Sequence, residues 1–434
     1  MKSSQKLSLL MAVLININIM IGTGLFINTT ALAKLAGPLG WLSYASVSFL
    51  LLPLVLSMAE LLALFPAGGF YYFAKDSLNS YMGFMSTWSY FFAKLGSATV
   101  GIHTFVSIVQ QIVPLLQHMS FYMLDVCIII LFVFLNTKNI SAGSYIQKYL
   151  VFSKIIPITI TICVAIYWLS THGFDNIAQS ALVLHDFSAT IPLVLFSLLG
   201  FEAICAISRN IEHPEQNAYR VVLISYGMVT LIYIVYQMLF YTVVGQSFKH
   251  IIDFKGAFPA LFGAVTNWKH LIDVFSTFIY LLIGTSALSG AYGIFFANQW
   301  NLFTIAEQRL FTLHGNFAKL NTNQMPVMCA MLEGFICVLY LYMTQGQQVI
   351  LQQLAALGTT VTYIISVVAL LRQTVKKRYV FIACFAMASC CILIAACVKN
   401  FIYNGFETLI LYCCIMAIGT LLFGIKTVAN KANN

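Results

Sequence analysis

Apolar segments long enough to cross a lipid bilayer recur along the whole chain of 434 residues. A helix needs about 20 apolar residues to span the hydrocarbon core of a membrane. Hydrophobic residues make up 60% of the sequence and charged residues 8%, whereas a soluble protein has about 25% charged residues. These features exclude a soluble globular fold and predict an all-α integral membrane protein.

The apolar pattern predicts twelve membrane-spanning helices. Their expected bounds are 8–35, 39–64, 83–116, 121–137, 147–169, 190–208, 219–245, 270–300, 327–343, 348–371, 379–398 and 406–425. No soluble domain interrupts them, so we expect one transmembrane domain over residues 1–434. The first apolar stretch is longer than the roughly 7–15 residues of a signal-peptide core. We therefore interpret it as a membrane span.

The net charge of +9 follows the pattern of membrane topology signals. Fifteen Lys and Arg residues fall on the side that holds both termini, and five fall on the opposite side. Because cytoplasmic loops carry the excess of basic residues, we expect both termini in the cytoplasm and a multi-pass location in the cytoplasmic membrane, in contact with lipid. No basic patch with interleaved aromatic residues indicates a nucleic-acid partner. The oligomeric state is left open.

The reactive residue types form no catalytic or metal-binding pattern. The eleven cysteines include no CxxC and no Cys/His metal spacing. An intramembrane enzyme needs facing catalytic groups, and a channel needs a selectivity ring. Neither is visible, so we expect no catalytic residue, no metal and no cofactor.

Two of the spans are interrupted by glycine at corresponding places in the chain. The first reads ININIMIGTGLFI and the sixth reads LFSLLGFEAICAI. A helix breaks within a membrane only where its freed backbone groups face protein or a water-filled cavity, so paired breaks indicate a transporter's binding site. If residues 8–169 and 190–371 form two inverted repeats, followed by two helices over 379–425, the two breaks meet.

Helix breaks expose backbone groups that match the two ends of an amino acid. Free amides carry partial positive charge and attract a carboxylate, whereas free carbonyls attract an ammonium group. Selectivity for the side chain must then come from spans 3, 6, 8 and 10. The face of span 3 that carries Lys94, Ser97 and Gly101 is mostly small, so it either packs closely on another helix or borders a cavity.

The charged residues inside spans each allow more than one interpretation. Glu202 is costly near mid-membrane unless it is neutral or partnered, so it either exchanges a proton or bonds a backbone carbonyl. Lys154 either takes part in coupling or extends its stem to the interface. Lys94 pairs with Glu202, binds an acidic substrate side chain, or extends to the interface. We interpret His103 as a bonded residue between helices.

Four motifs, in order along the chain, resemble the amino acid–polyamine–organocation (APC) transporters, in particular their basic amino acid and polyamine antiporter group. IMIGTGLFI is similar to the first-span signature, and MAELLALFPAGGFYYF is similar to the end of the second span. FSLLGFEAICAISRNIEHPEQNAYR resembles the sixth span and the loop that follows it. NFAKLNTNQMPV resembles the loop before the ninth span.

The resemblance implies a LeuT-like 5+5 inverted repeat with broken helices 1 and 6, and transport of amino acids by proton-coupled uptake or by exchange. Phe196 takes the place of an aromatic residue that covers the substrate, Glu202 that of a proton sensor, and Lys154 that of a lysine that substitutes for sodium. Gly22, Thr23 and Gly24 would offer backbone to the carboxylate, and Leu199, Gly200 and Phe201 would offer backbone to the amine. We therefore expect substrate binding by Ile21, Gly22, Thr23, Gly24, Lys94, Ser97, Phe196, Leu199, Gly200, Phe201 and Tyr292, and proton coupling by Glu202 and Lys154.

Several alternatives stay open at the level of sequence. A decarboxylation-linked antiporter of amino acids and amines would use the same fold, and so would a nutrient sensor that does not transport. The sequence does not distinguish symport from exchange or identify the amino acid. Because Lys94 would repel a cationic substrate unless Glu202 neutralises it, we favour neutral or acidic substrates over arginine-like ones.

Overall fold

The computed structural model describes residues 6–22, 24–66, 68–173, 187, 189–251, 254–373 and 377–432. The described residues are mostly helical and form no strand, apart from an isolated bridge between Leu7 and Ile211. An α-helix satisfies its backbone polar groups within its own segment, which is the requirement that hydrocarbon imposes on a chain that crosses it.

The described residues contain seventeen α-helices, numbered here in chain order. They are α1 (Leu9–Met20), α2 (Gly24–Ala36), α3 (Gly40–Leu64), α4 (Gly69–Lys75), α5 (Ser80–Ile112), α6 (Phe121–Leu135), α7 (Ile140–His172), α8 (Ile191–Leu198), α9 (Ile204–Ile207), α10 (Pro214–Val244), α11 (Ala257–Gly263), α12 (Lys269–Glu307), α13 (His314–Phe317), α14 (Val327–Thr344), α15 (Gln348–Gln373), α16 (Lys377–Asn404) and α17 (Glu407–Ala432).

Each of the twelve predicted spans is occupied by helix. Nine helical runs of the described residues are long and apolar enough to cross a membrane. In this count α2 and α3 form one run over Gly24–Leu64, and α1 and α6 are shorter apolar helices. The first span consists of α1 and α2, and the sixth consists of α8 and α9. The prediction of an all-α, multi-helix membrane fold is confirmed, whereas the repeat boundaries at 8–169 and 190–371 stay a prediction.

Several helices extend beyond their predicted ends. The α12 helix continues to Glu307, past the predicted end at residue 300, and α7 begins at Ile140 rather than at residue 147. Hydropathy marks only the apolar part of a helix, and the polar residues beyond it can continue the helix where water and headgroups are available.

Helix α5 lies at the centre of the packing, in contact with α12 along much of its length and with α15 and α4 on other sides. Small residues allow the close approach: a Cβ atom at Gly101 would lie 2.9 Å from the backbone oxygen of Ala287 on α12. Helices in membranes associate through such small residues, because no hydrophobic force drives apolar surfaces together there. The small face predicted for span 3 therefore both packs on α12 and, one turn away, borders a cavity described below.

The segment before α1 is bonded to the segment after α9. The amide of Leu7 donates to the Asn210 oxygen at 2.8 Å, and the amide of Glu212 donates to the Leu7 oxygen at 2.9 Å. Both segments therefore lie on the same side of the molecule, which agrees with an even number of membrane crossings between them.

Candidate functional site

The first helix break is held by side chains from three other helices. Helix α1 ends at Met20 and α2 begins at Gly24, with Thr23 outside the described residues. Lys154 on α7 donates to the Asn18 oxygen at 2.5 Å and also to the Ile21 oxygen. Tyr233 on α10 donates to the Met20 oxygen, and Ser286 on α12 donates to the Gly22 oxygen, both at 3.2 Å. The carbonyl groups released at the end of α1 are thus satisfied by fixed donors.

The position of Lys154 explains how a lysine can be buried within a span. Its side chain is 1% exposed, and its ammonium group faces the carboxyl-terminal end of α1, where the helix dipole is negative. A buried ammonium group needs such partners to offset the loss of hydration. The alternative in which Lys154 extends to the interface is therefore excluded by its contacts.

The second helix break lies against the first. Helix α8 ends at Leu198 and α9 begins at Ile204, and between them Gly200 has a φ angle of +115° that L side chains rarely adopt. A Cβ atom at Gly200 would lie 3.4 Å from the Cα atom of Met20. Asn16 on α1 also donates to the Phe201 oxygen at 3.0 Å. The two breaks therefore meet, as their glycines predict.

Glu202 forms a buried ion pair with Lys94. The distance from Lys94 Nζ to Glu202 Oε1 is 2.6 Å, and the two side chains are 5% and 0% exposed. The other carboxyl oxygen accepts the Gly200 amide at 2.9 Å, and Tyr90 donates to Oε1 at 3.2 Å. Of the three interpretations of Lys94, the structure shows the pair with Glu202, and this pair connects α5 to the second break.

A small cavity of about 70 Å³ lies between the two breaks, α5 and α12. Six of the residues predicted to bind substrate line it: Gly22, Gly24, Lys94, Ser97, Phe196 and Leu199. The remaining wall is small or apolar and includes Val100, Gly101, Ala287, Ala291 and Ile294. The cavity therefore combines helix-break backbone with a side-chain region that offers little room and few polar groups.

Four of the predicted substrate residues do not line this cavity. Ile21 is buried, with its carbonyl bound to Lys154, and the backbone of Gly200 donates to Glu202. The ring of Phe201 stacks on Tyr363, with ring centroids 5.7 Å apart. Tyr292 packs edge-on against Phe132 of α6, because its neighbours Gly290 and Ala291 occupy the face of α12 that borders the cavity. Tyr292, which was expected to bind substrate, thus lies outside the lining of this cavity, and its role in binding stays a prediction.

A second, larger cavity of about 280 Å³ adjoins the first. Gly24, Phe196 and Leu199 line both cavities, and residues of α15 and α16 such as Gln353 and Cys397 complete the larger one. Phe196 is half-buried and stands between the two spaces. That Phe196 covers a bound substrate stays a prediction.

Sequence reasoning missed an uncharged polar cluster behind the first break. Asn18 on α1 donates to Gln147 on α7 and to the Ser289 oxygen at 3.1 Å, and the Ser289 hydroxyl donates to Asn18. The sequence feature that could have indicated this cluster is the pair of asparagines, Asn16 and Asn18, in the apolar first span. A buried amide in an apolar helix requires hydrogen-bond partners. His103, by contrast, was interpreted correctly: it contacts Asp125 of α6 at 2.8 Å.

The described part of the chain contains no group of three His, Cys, Asp or Glu residues arranged to hold a metal ion. The candidate site consists instead of two broken helices, with the buried amine of Lys154 at one break and a buried ion pair at the other. Paired helix breaks on a multi-pass helical fold are typical of membrane transporters.

A family model described as amino acid permease matches residues 7–419. The chain belongs to this amino acid permease family. Similar proteins include a D-serine/D-alanine/glycine transporter of Escherichia coli (strain K12), 23% identical over 339 residues, which cover 74% of this chain and 70% of that protein.

Two further relatives match shorter parts of the chain. A branched-chain amino acid permease, BcaP, of Bacillus subtilis (strain 168) is 24% identical over 51% of each chain. An aromatic amino acid transport protein, AroP, of Escherichia coli (strain K12) is 24% identical over 45% of each chain. The family and these relatives are named as permeases and transporters rather than enzymes, in agreement with the interpretation of the sequence.

Proposed function

We propose that the protein is a secondary transporter of small neutral amino acids in the cytoplasmic membrane, working by alternating access. The observation that carries this proposal is the cavity that both helix breaks line, since it joins backbone groups suited to an amino acid's charged ends with a small apolar wall. The positive-inside pattern supports cytoplasmic termini.

The two ends of the substrate are recognised by different breaks. The first amides of α2 have no partner within their own helix, so Gly24, which lines the cavity, offers a site for the α-carboxylate. At the second break, the Phe201 oxygen already accepts from Asn16 and the Gly200 oxygen accepts from the Ala203 amide at 3.0 Å. Leu199 lines the cavity and is therefore the residue whose carbonyl we assign to the α-ammonium group.

Substrate size and charge follow from the wall and from Lys94. The ammonium group of Lys94 already has Glu202 as its counter-ion, so it does not need an acidic substrate side chain for balance. Val100, Ala287 and Ala291 leave space for a small, uncharged side chain. The name of the D-serine/D-alanine/glycine transporter among the relatives supports the same substrate class.

For energy coupling we propose protons, with exchange of substrates as a second mode. The Nζ group of Lys154 donates to the carbonyl groups at the end of α1, which supports a mechanism that does not require a sodium ion there. Glu202 links the second break to α5 through Lys94, so protonation of Glu202 would release that link. A proton drives transport only if it binds the outward-open and inward-open states with different affinity.

Uptake by purified protein in proteoliposomes tests the proposal. We expect accumulation of glycine, alanine or serine that is faster when the outside is more acidic than the inside and unchanged when choline replaces sodium. N-acetylated and esterified amino acids should not compete, because each lacks one charged end. Uptake that stops without sodium would overturn proton coupling, and competition by the blocked analogues would overturn the assignment of the two breaks.

A further inference from the structure

A second buried carboxyl group lies outside the site described above. Glu333 on α14 is 0% exposed, and neither of its carboxyl oxygens has a hydrogen-bond partner among the described residues. No Lys, Arg or His in the described part of the chain forms an ion pair with it. Glu333 is a single acidic residue in the ninth apolar span with no motif around it, so the sequence alone does not mark it as functional.

The surroundings of Glu333 on α12 and on its own helix are neutral. Asn298 of α12 approaches the carboxyl group without making a bond of ordinary geometry to it. The titratable neighbours on α14 are the thiols of Cys329 and Cys337, one turn away on either side. Neither thiol can supply the positive charge that a buried carboxylate requires.

The other helices packed on α14 add no counter-ion. Helix α5 meets α14 through backbone oxygens, since Tyr340 donates to the Phe92 oxygen at 3.2 Å and Cys337 approaches the Leu95 oxygen at 3.9 Å, while Lys94 on α5 is bound to Glu202. On α6, Asp125 is paired with His103. The short helix α13 meets α14 where Cys329 donates to the Phe317 oxygen at 3.5 Å, and its His314 is bonded to the Phe311 oxygen at 2.8 Å. The one charged residue of α15, Arg372, is exposed in the last turn of that helix.

An ionised carboxylate is expensive in such surroundings. Burial of an unpaired charge costs far more than burial of a neutral polar group, and charged residues within a bilayer are partnered or face water. Glu202 meets this condition through Lys94, whereas Glu333 does not. Burial without a counter-ion therefore favours the neutral, protonated form of Glu333 over the carboxylate.

Polar residues lead from the surroundings of Glu333 toward the side where Leu7 and Asn210 lie. Asn298 donates to the Phe91 oxygen of α5 at 3.0 Å and accepts from Asn301 at 2.9 Å. Asn301 lines a small space of about 10 Å³ together with Thr304 and Arg209, which is room for about one water molecule. Helix α5 thus holds Glu202 through Lys94, and its backbone oxygens accept from Asn298 and from residues of α14 near Glu333.

From this geometry we propose that Glu333 is a proton-binding site, loaded in the conformation seen here and exchanging its proton with the terminal side through the space lined by Asn301. Its use in driving transport rests on the proposed function; its occupancy by a proton does not. The ligand is a proton, and Glu333 returns to the carboxylate form only when movement of α5 or α12 admits water or a donor to it.

Chemical modification tests occupancy by the proton without any transport assay. Dicyclohexylcarbodiimide reacts with protonated carboxyl groups in apolar surroundings: the acid proton passes to a carbodiimide nitrogen, the carboxyl oxygen bonds to the central carbon, and the adduct rearranges to a stable N-acylurea. Peptide mass spectrometry of the treated wild-type protein should find the adduct at Glu333 and not at Glu202.

The infrared carbonyl band of a buried carboxylic acid should be present in wild type and absent in Glu333→Gln. An unlabelled Glu333, or an unchanged band in the variant, overturns the proposal.

Transport measurements then test the role in coupling. Glu333→Gln should keep the thermal shift produced by substrate and keep substrate exchange, but lose accumulation driven by a proton gradient. The exposed Glu407→Gln variant serves as control and should retain all of these activities. Proton-driven accumulation by Glu333→Gln at the wild-type level would overturn the coupling role.

If Glu333→Gln does not fold, the labelling and the infrared spectrum of the wild-type protein still decide whether Glu333 carries a proton. If wild type transports no amino acid, the proposed function fails, and the two wild-type measurements remain decisive for the proton site.

Discussion

Two buried lysines in this protein hold the two helix breaks in different ways. Lys154 binds backbone oxygens at the end of α1, and Lys94 binds the carboxylate of Glu202 beside the break in the sixth span. A helix end supplies only partial charge, whereas Glu202 supplies a full opposite charge. Removal of either lysine should therefore have distinct consequences.

The Lys94–Glu202 pair predicts strong coupling in a double-mutant cycle. Loss of one partner from a buried pair leaves an uncompensated charge, which costs about 3–5 kcal/mol. We expect Lys94→Met and Glu202→Gln each to lower the stability of the purified protein by an amount of that order. The double variant should lose clearly less than the sum, as judged by thermal or denaturant unfolding in detergent. Additive losses would show that the two side chains do not depend on each other.

Lys154→Ala should impair turnover more than folding or substrate binding. The ammonium group makes two charge-assisted bonds to α1, each worth roughly 1.5–3 kcal/mol, so we expect uptake to fall by about two orders of magnitude. Lys148→Ala, on the same helix nearer its start, is the matched control and should keep most activity. Initial uptake rates beside substrate-induced thermal shifts separate the two effects. Equal rates for the two variants would remove Lys154 from the mechanism.

At the scale of helices, the breaks are where close backbone contact matters most. A Cβ atom at Gly24 would lie 2.8 Å from Ser197 Oγ and 3.1 Å from the Ser197 Cα atom, so even a methyl group must displace α8. Gly227 on α10, in contrast, has open space around the position of a Cβ atom.

Gly24→Ala should therefore reduce uptake strongly, and Gly24→Leu should abolish it by filling the approach to the first amides of α2. Gly227→Ala is expected to transport normally, since its added methyl group meets no neighbour. Uptake by the Gly24 variants and by Gly227→Ala is compared with uptake by wild type in correctly inserted protein. The amounts of protein are checked by fluorescence-detected size-exclusion chromatography. Normal uptake by Gly24→Leu would place the substrate elsewhere.

The breaks could be predicted from sequence, but much of what holds them could not. Glycine in a long apolar run is a local signal, so the interruptions near Gly22 and Gly200 follow from the chain alone. The bond from Lys154 to Ile21 and the cluster around Asn18 join residues far apart in sequence, and their distances depend on how α1, α7 and α12 pack. Tyr292 shows most clearly what the sequence cannot predict. The rotation of α12 about its axis decides whether the ring of Tyr292 faces the cavity or α6.

At the scale of the whole molecule, hydropathy was sufficient for the fold class, whereas the number of twelve crossings stays a prediction. Each predicted span is occupied by helix, since the bilayer leaves the backbone few alternatives. Helix ends such as Glu307 were missed, because the signal fades where polar residues enter the interface. Glu333 was missed because its burial between α5 and α12 is a property of packing rather than of a motif.

The topology predicts where the termini lie. With fifteen basic residues on one side and five on the other, a fluorescent protein fused after residue 434 should fluoresce in a bacterial host, whereas alkaline phosphatase at the same place should be inactive. Fusions after residue 405, between α16 and α17, should give the reverse result. Active phosphatase at the C-terminus would invert the proposed orientation.

The most direct test of the account is a structure of the purified protein with a small neutral amino acid, by cryo-electron microscopy or crystallography. The account predicts density between the two breaks, with the carboxylate at the amides that begin α2, the ammonium group at Leu199, and the side chain against Val100 and Ala287. Density in another cavity, or a carboxylate bound directly to Lys94 with Glu202 displaced, would contradict it.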